Sequence, residues 1–232
     1  MIGKFLKIFG IGVAISTQAD AIELPTPYDK ESVNFMYNLL FCDEPSLFNK
    51  SGDGSPAYWE ETLFVSPNEK NVRALAENTN EESRVRALAY NWLRKNKKTL
   101  TKGILLGVIV EVPLEGGLDT LAAYSDGRVR YINQTGKLTV VELGGSVSIE
   151  KLAKELVEVS TPVVQKLGPW EKDRLPSPAA GNIRLTFLVS DGLYFGEGPL
   201  NIMQGEPMAA PIIRKAIELL QAVVNTTIEE QT

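Results

Sequence analysis

"ILLGVIVEVPLEGGLDTLAAYSDGRVRYINQTGKLTVVEL", residues 104–143, decides the fold class. "ILLGVIVEV" is rich in β-branched side chains and reads as a central strand. Glu115-Gly116-Gly117 turns the chain, then Asp126-Gly127 and Thr135-Gly136 turn it again. Asp-Gly between two strand-like runs is the strongest short-range hairpin signal, because the tight hairpin turns need positive φ. In "RVRYINQ" the side chains alternate: Val129, Tyr131 and Asn133 on one face, Arg128, Arg130, Ile132 and Gln134 on the other. The stretch predicts a four-stranded antiparallel meander.

Working outward, "IRLTFLVS" and "LYFGEG", joined by Asp191-Gly192, predict a C-terminal hairpin. Helical patterns surround these strands. Residues 29–41 carry Val33, Met36, Tyr37 and Leu40 on one face, with Asp29 as N-cap. Ser66-Pro67-Asn68-Glu69 and Thr79-Asn80-Glu81-Glu82 have the form of capping boxes. The second leads to a helix that buries Val85, Leu88, Ala89 and Trp92 and ends in Arg94, Lys95, Lys97 and Lys98. "ETLFV" (61–65) reads as a short strand. Ser148 is read as the cap of a helix that Pro162 should kink or end near Thr161. "GPWEKDRLPSPAAG" is a surface loop, and a last helix runs from about Pro211 to Val224.

Strands joined by tight turns must be antiparallel. The order is therefore that of an α+β protein: a four-stranded meander plus a C-terminal hairpin, covered by helices, with an N-terminal helical region. Residues 1–27 form an arm or signal segment, 28–102 a mainly helical region and 103–226 the sheet region, together one compact unit. "MIGKFLKIFGIGVAISTQADA" combines Lys4 and Lys7, a short apolar run and Ala19-Asp20-Ala21, which has the small-x-small form of a cleavage site. The apolar run is too short to span a membrane. The expectation is a cytoplasmic protein, with peripheral membrane contact through this segment or export with cleavage near Ala21 as alternatives.

Composition narrows the chemistry. The 232 residues include no histidine and one cysteine, Cys42. Histidine-dependent nucleophiles, histidine-ligated metals, thiolate clusters and an internal disulfide are thereby excluded. Carboxylate, lysine, tyrosine or serine-lysine chemistry survives, as does a hard cation on oxygen ligands. Net charge is −5, so a general nucleic-acid footprint is not expected. Ser148-Ile149-Glu150-Lys151 matches S-x-x-K without its companion motifs, and no phosphate-loop or dinucleotide fingerprint occurs.

What remains are Asp126, Asp191 and Glu197, with Tyr194 beside them and Glu206 near, in or after the glycine turns, and Trp170 among charges. Turn chemistry alone accounts for both aspartates, since Asp accepts local hydrogen bonds and tolerates unusual φ. Trp170 is an interface anchor or is folded back on the core. The expectation is a non-enzymatic domain without cofactor or metal that binds another protein or a ligand, for example as an acidic inhibitor or immunity-type protein. The alternative is a hydrolase, carboxylate-dependent or metal-assisted, that uses Asp126, Asp191 and Glu197.

Overall fold

The computed structural model describes residues 24–49 and 55–229. The readings of residues 1–23, including the Ala21 cleavage site and the membrane contact, lie outside these residues. The helices are α1 (Glu31–Leu39), α2 (Tyr58–Glu60), α3 (Glu69–Glu77), α4 (Ser83–Lys95), α5 (Val147–Val164), α6 (Leu200–Met203) and α7 (Ala210–Glu229). The strands are β1 (Leu105–Leu114), β2 (Gly117–Tyr124), β3 (Val129–Ile132), β4 (Leu138–Val141), β5 (Asn182–Val189) and β6 (Gly192–Pro199).

The protein is α+β, and meander and hairpin are one sheet. The strand order is β4-β3-β2-β1-β5-β6, every neighbour antiparallel. After α5 the chain returns so that β5 pairs with β1, with Glu111 opposite Arg184. β1 therefore has partners on both sides, as its β-branched composition requires.

Helices cover both faces. Val108, Val110, Leu121, Ala123, Leu185 and Phe187 pack with residues of α5 and α7 such as Leu156 and Leu219. Leu106, Ile109, Ala122, Tyr124 and Leu188 pack with residues of the N-terminal helices such as Tyr37, Leu75 and Leu88. The reason lies in the central strands, where six consecutive residues of β1 and seven of β5 are buried. A strand apolar on both sides cannot leave one face in water. Among the described residues no helix is long and apolar enough to cross a membrane.

Several local readings are corrected. "ETLFV" is not a strand but a π-helical turn that follows α2, with the Ser66 amide donating to the Glu61 carbonyl at 3.0 Å. A lone strand would leave these groups without a ladder, whereas the turn pairs them locally. Asn68, not Ser66, caps α3, and Ser146, not Ser148, caps α5. Pro162 lies inside α5 without ending it. Val163 and Val164 beyond it are both buried, and their packing keeps the helix going.

The glycine that opens β2 has a steric duty. Gly117 has φ +157°, and a Cβ there would stand 2.2 Å from the Gln134 carbonyl oxygen. Gly117→Ala is expected to lower the unfolding free energy by about 2 kcal/mol or more, as strained sites do. Gly168→Ala, at a position with nothing within 4 Å, should stay within about 0.5 kcal/mol of the parent. Urea denaturation of both variants checks the contrast.

Candidate functional site

On the face covered by the N-terminal helices, one row of residues crosses the sheet. Glu197 on β6 stands opposite Arg184 on β5, Arg184 opposite Glu111 on β1, and Glu111 opposite Thr120 on β2. Glu111 is fully buried, at 0% exposure. Its Oε1 accepts from the Tyr37 hydroxyl at 2.7 Å, and its Oε2 lies 3.8 Å from Arg184 Nη1. Arg184 donates to Glu197 Oε2 from Nε at 2.9 Å and Nη2 at 2.7 Å. It also donates to the carbonyls of Leu175 (3.3 Å) and Pro176 (2.8 Å). The Tyr28 hydroxyl, 2.9 Å from Thr120 Oγ1, extends the row.

Burial pushes the Glu111 carboxyl upward, against the lowering effects of the Tyr37 hydrogen bond and the Arg184 and Arg174 charges. Burial also raises Tyr37, reinforced by Glu111.

A second arginine ties the 168–181 loop to the helical layer. Arg174 Nε pairs with Asp43 Oδ2 at 2.7 Å, and Nη2 donates to Asn38 Oδ1 at 2.6 Å. The guanidinium lies 4.1 Å from the Phe41 ring centroid. Arg174 Nη1 and Asp43 Oδ1, both buried, have no hydrogen-bond partner.

Outside this network lies a cleft of about 380 Å³. Its walls are the 169–174 loop, the Asp191–Leu193 turn, the end of α4 with Arg94 and Lys95, Asp43 and Glu44, and Leu24 and Pro25. Trp170, Arg174 and Leu193 separate it from a chamber of about 20 Å³ that reaches Glu111 and Arg184. That inner space is the size of one water. Trp170 stands edge-on to Phe195, centroids 4.8 Å apart, and its indole N–H donates to the Asp173 carbonyl at 2.9 Å. Lys172 sits 5.5 Å above the Trp170 ring. Trp170 is thus half-buried in the wall of the cleft.

The sequence candidates divide accordingly. Asp191 and Trp170 line the cleft. Asp191 accepts from the Gly103 amide (3.2 Å) and the Tyr194 hydroxyl (3.0 Å), and Tyr194 is pushed up to about 12 by burial and that carboxylate. Tyr194 packs in the α5/α7 core while Phe195 faces Trp170, as strand alternation demands. Glu197 points inward to Arg184 and Asn182. Asp126 is elsewhere. Its Oδ2 accepts from the Ser83 amide at 2.8 Å, its own amide donates to Ser83 Oγ at 3.0 Å, and it pairs with Arg128. It caps the first turn of α4 from the turn between β2 and β3. Glu206 caps a local turn by accepting from the Met208 amide at 2.8 Å.

Asp126 and Asp191 sit at the same end of the sheet, beside the start of β1, because Ser125 and Ser190 donate to the Leu106 and Ile104 carbonyls. Their turns are nevertheless three strand spacings apart in the strand order, or about 14 Å. Carboxylates that act as a pair stand at ~5–9.5 Å. Among the described residues no group of three or more acids or cysteines is placed to hold a metal ion.

The residues that sequence reasoning missed are Glu111, Arg184, Arg174, Asp43 and Tyr37. A signal was present for two of them: Glu111 and Arg184 are the charges within otherwise apolar strands. By sequence Arg94 belongs to the cation run that ends α4, where such charges suit the negative end of the helix dipole or meet an anionic partner. It is half-buried in the cleft, and among the described residues its guanidinium has neither a hydrogen bond nor an ion pair, whereas Lys95 and Lys98 of the same cluster reach Glu44 and Glu69. Burial lowers the Arg94 guanidinium, and Asp43 and Asp191 oppose that shift.

No family model matches the chain, no curated protein is similar to it, and no solved structure is similar to it.

The raised Glu111 carboxyl gives a signed prediction. The folded state holds a proton that the unfolded chain releases near pH 4.3. This site's contribution is fullest below that value and is lost as pH rises through the raised folded-state value. The unfolding free energy of the parent minus that of Glu111→Gln should therefore fall as pH rises through a range that opens near pH 4.3. Urea titrations across that range check it, and a difference that stays flat or rises contradicts it.

Proposed function

We propose that this protein is a binding domain without chemistry of its own, and that it takes a charged partner in the cleft between the end of α4, the 169–174 loop and the β5–β6 turn. The observation that carries this reading is Arg94. A half-buried guanidinium with no hydrogen bond or ion pair among the described residues, offset only by the charges of Asp43 and Asp191, has given up part of its hydration with incomplete compensation. Such a group favours a ligand that supplies the missing acceptor. Trp170 and Leu193 add apolar surface in the same walls, the mixture that marks binding sites.

The engagement of the acids supports binding over hydrolysis. Asp126, Asp191 and Glu197 each accept hydrogen bonds that hold a helix start, a turn or Arg184 in place. A general acid or base must instead reach a substrate proton.

The test uses ¹⁵N-labelled protein and an extract of the cells that make it, divided into small-molecule and macromolecular fractions. The Trp170 indole signal, assigned with Trp170→Phe, should shift in a saturable manner with one fraction while that fraction's composition stays constant. A signal that moves with neither fraction, or a fraction whose components are consumed, contradicts the reading.

A further inference from the structure

The charges around the cleft restrict its ligand further than "charged". The lining includes Arg94, Lys95, Lys172 and Arg174, interleaved with Asp43, Glu44, Glu171, Asp173 and Asp191. These near-balanced charges disfavour a bare anion, which would meet the Asp43 and Asp191 carboxylates whose charges reach Arg94. They equally disfavour a bare cation, which would meet Arg94 itself. Like charges brought together in a partly desolvated site are costly. A ligand with both signs close together meets neither penalty.

Unused bonding capacity has the same dual character. Among the described residues the Arg94 guanidinium has no acceptor on any of its donors. The Arg174–Asp43 pair in the wall is joined through Nε and Oδ2, which leaves a spare donor, Nη1, beside a spare acceptor, Oδ1. The Arg174 side chain is only 9% exposed, so this is a built wall rather than a mobile surface group. Asp191 accepts one hydrogen bond on each oxygen, and a carboxylate has about four acceptor positions. Leu24, Pro25, Trp170 and Leu193 provide apolar surface next to these groups.

We infer that the cleft binds a zwitterion of the α-amino-acid kind with an apolar side chain: its carboxylate on Arg94, its ammonium on Asp191 and its side chain against Trp170 and Leu193. The inference rests on the binding reading above and names the ligand class for that same cleft. Arg94, not the buried arginines, is the discriminating residue, because its guanidinium makes no hydrogen bond or ion pair among the described residues and its replacement costs the folded state none.

The experiment is calorimetric titration of the full chain with L-leucine and L-phenylalanine, with acetate and methylammonium as the two half-ligands. Saturable binding of at least one amino acid is expected, with none for either half-ligand. Arg94→Gln should weaken binding at least tenfold while leaving the unfolding midpoint unchanged. No binding of either amino acid, equal binding of acetate, or unchanged affinity in Arg94→Gln overturns the zwitterion. If both amino acids fail but the Trp170 signal still shifts in extract, the ligand class is wrong and the binding reading stands. If that signal is also still, the binding reading falls too.

Discussion

The rest of the structure is arranged around the burial of one carboxylate. Glu111 lies at the middle of a central strand with no exposure at all, and an ion removed from water costs several kcal/mol unless it is paired and hydrogen-bonded. Tyr37 supplies the hydrogen bond from α1, and Arg184 supplies the charge from β5. Arg184 is buried in turn and needs Glu197 from β6 and two carbonyls of the 168–181 loop. Each demand recruits the next element. The outcome is a polar row that specifies the register of β1, β5 and β6, since a slip of one residue moves a charge to the apolar face. It also fixes the loop that bears Trp170.

This explains why parts of the molecule were legible in the sequence and others were not. The hairpins were legible because turn chemistry is local: Asp126-Gly127 and Asp191-Gly192 announce themselves through adjacent residues. The pairing of β1 with β5 was not, because it depends on residues more than 70 positions apart that only the folded sheet brings together. Glu111 and Arg184 stood in plain view as charges in apolar runs, and opposite signs in two such strands are a hint that those strands are neighbours. Asp126 shows the limit of local reading from the other side. Its turn role is real, since its Oδ1 accepts from the Arg128 amide at 3.0 Å. Its other oxygen serves a helix 43 residues away, which no short window contains.

"GEGP", residues 196–199, gains a physical meaning in the same way. Glu197 faces inward to complete the Arg184 site, so the segment is the end of an edge strand rather than a phosphate loop. The cleft lies at the other end of β6, by the Asp191–Leu193 turn, where the 169–174 loop crosses it and the Trp170 amide donates to the Leu193 carbonyl at 2.7 Å. Binding surface and buried row are thus joined through one loop, held at Arg174 and at the Leu175 and Pro176 carbonyls.

The central claim is that the Glu111–Arg184–Glu197 row holds the sheet and the Trp170 loop together. Equilibrium urea unfolding of Arg184→Met tests it most directly, because methionine keeps much of the volume and removes the charge. The expected result is a loss of about 3–5 kcal/mol, the usual consequence of leaving a buried ion without its partner. A loss below about 1 kcal/mol, within the range of exposed ion pairs, would contradict it.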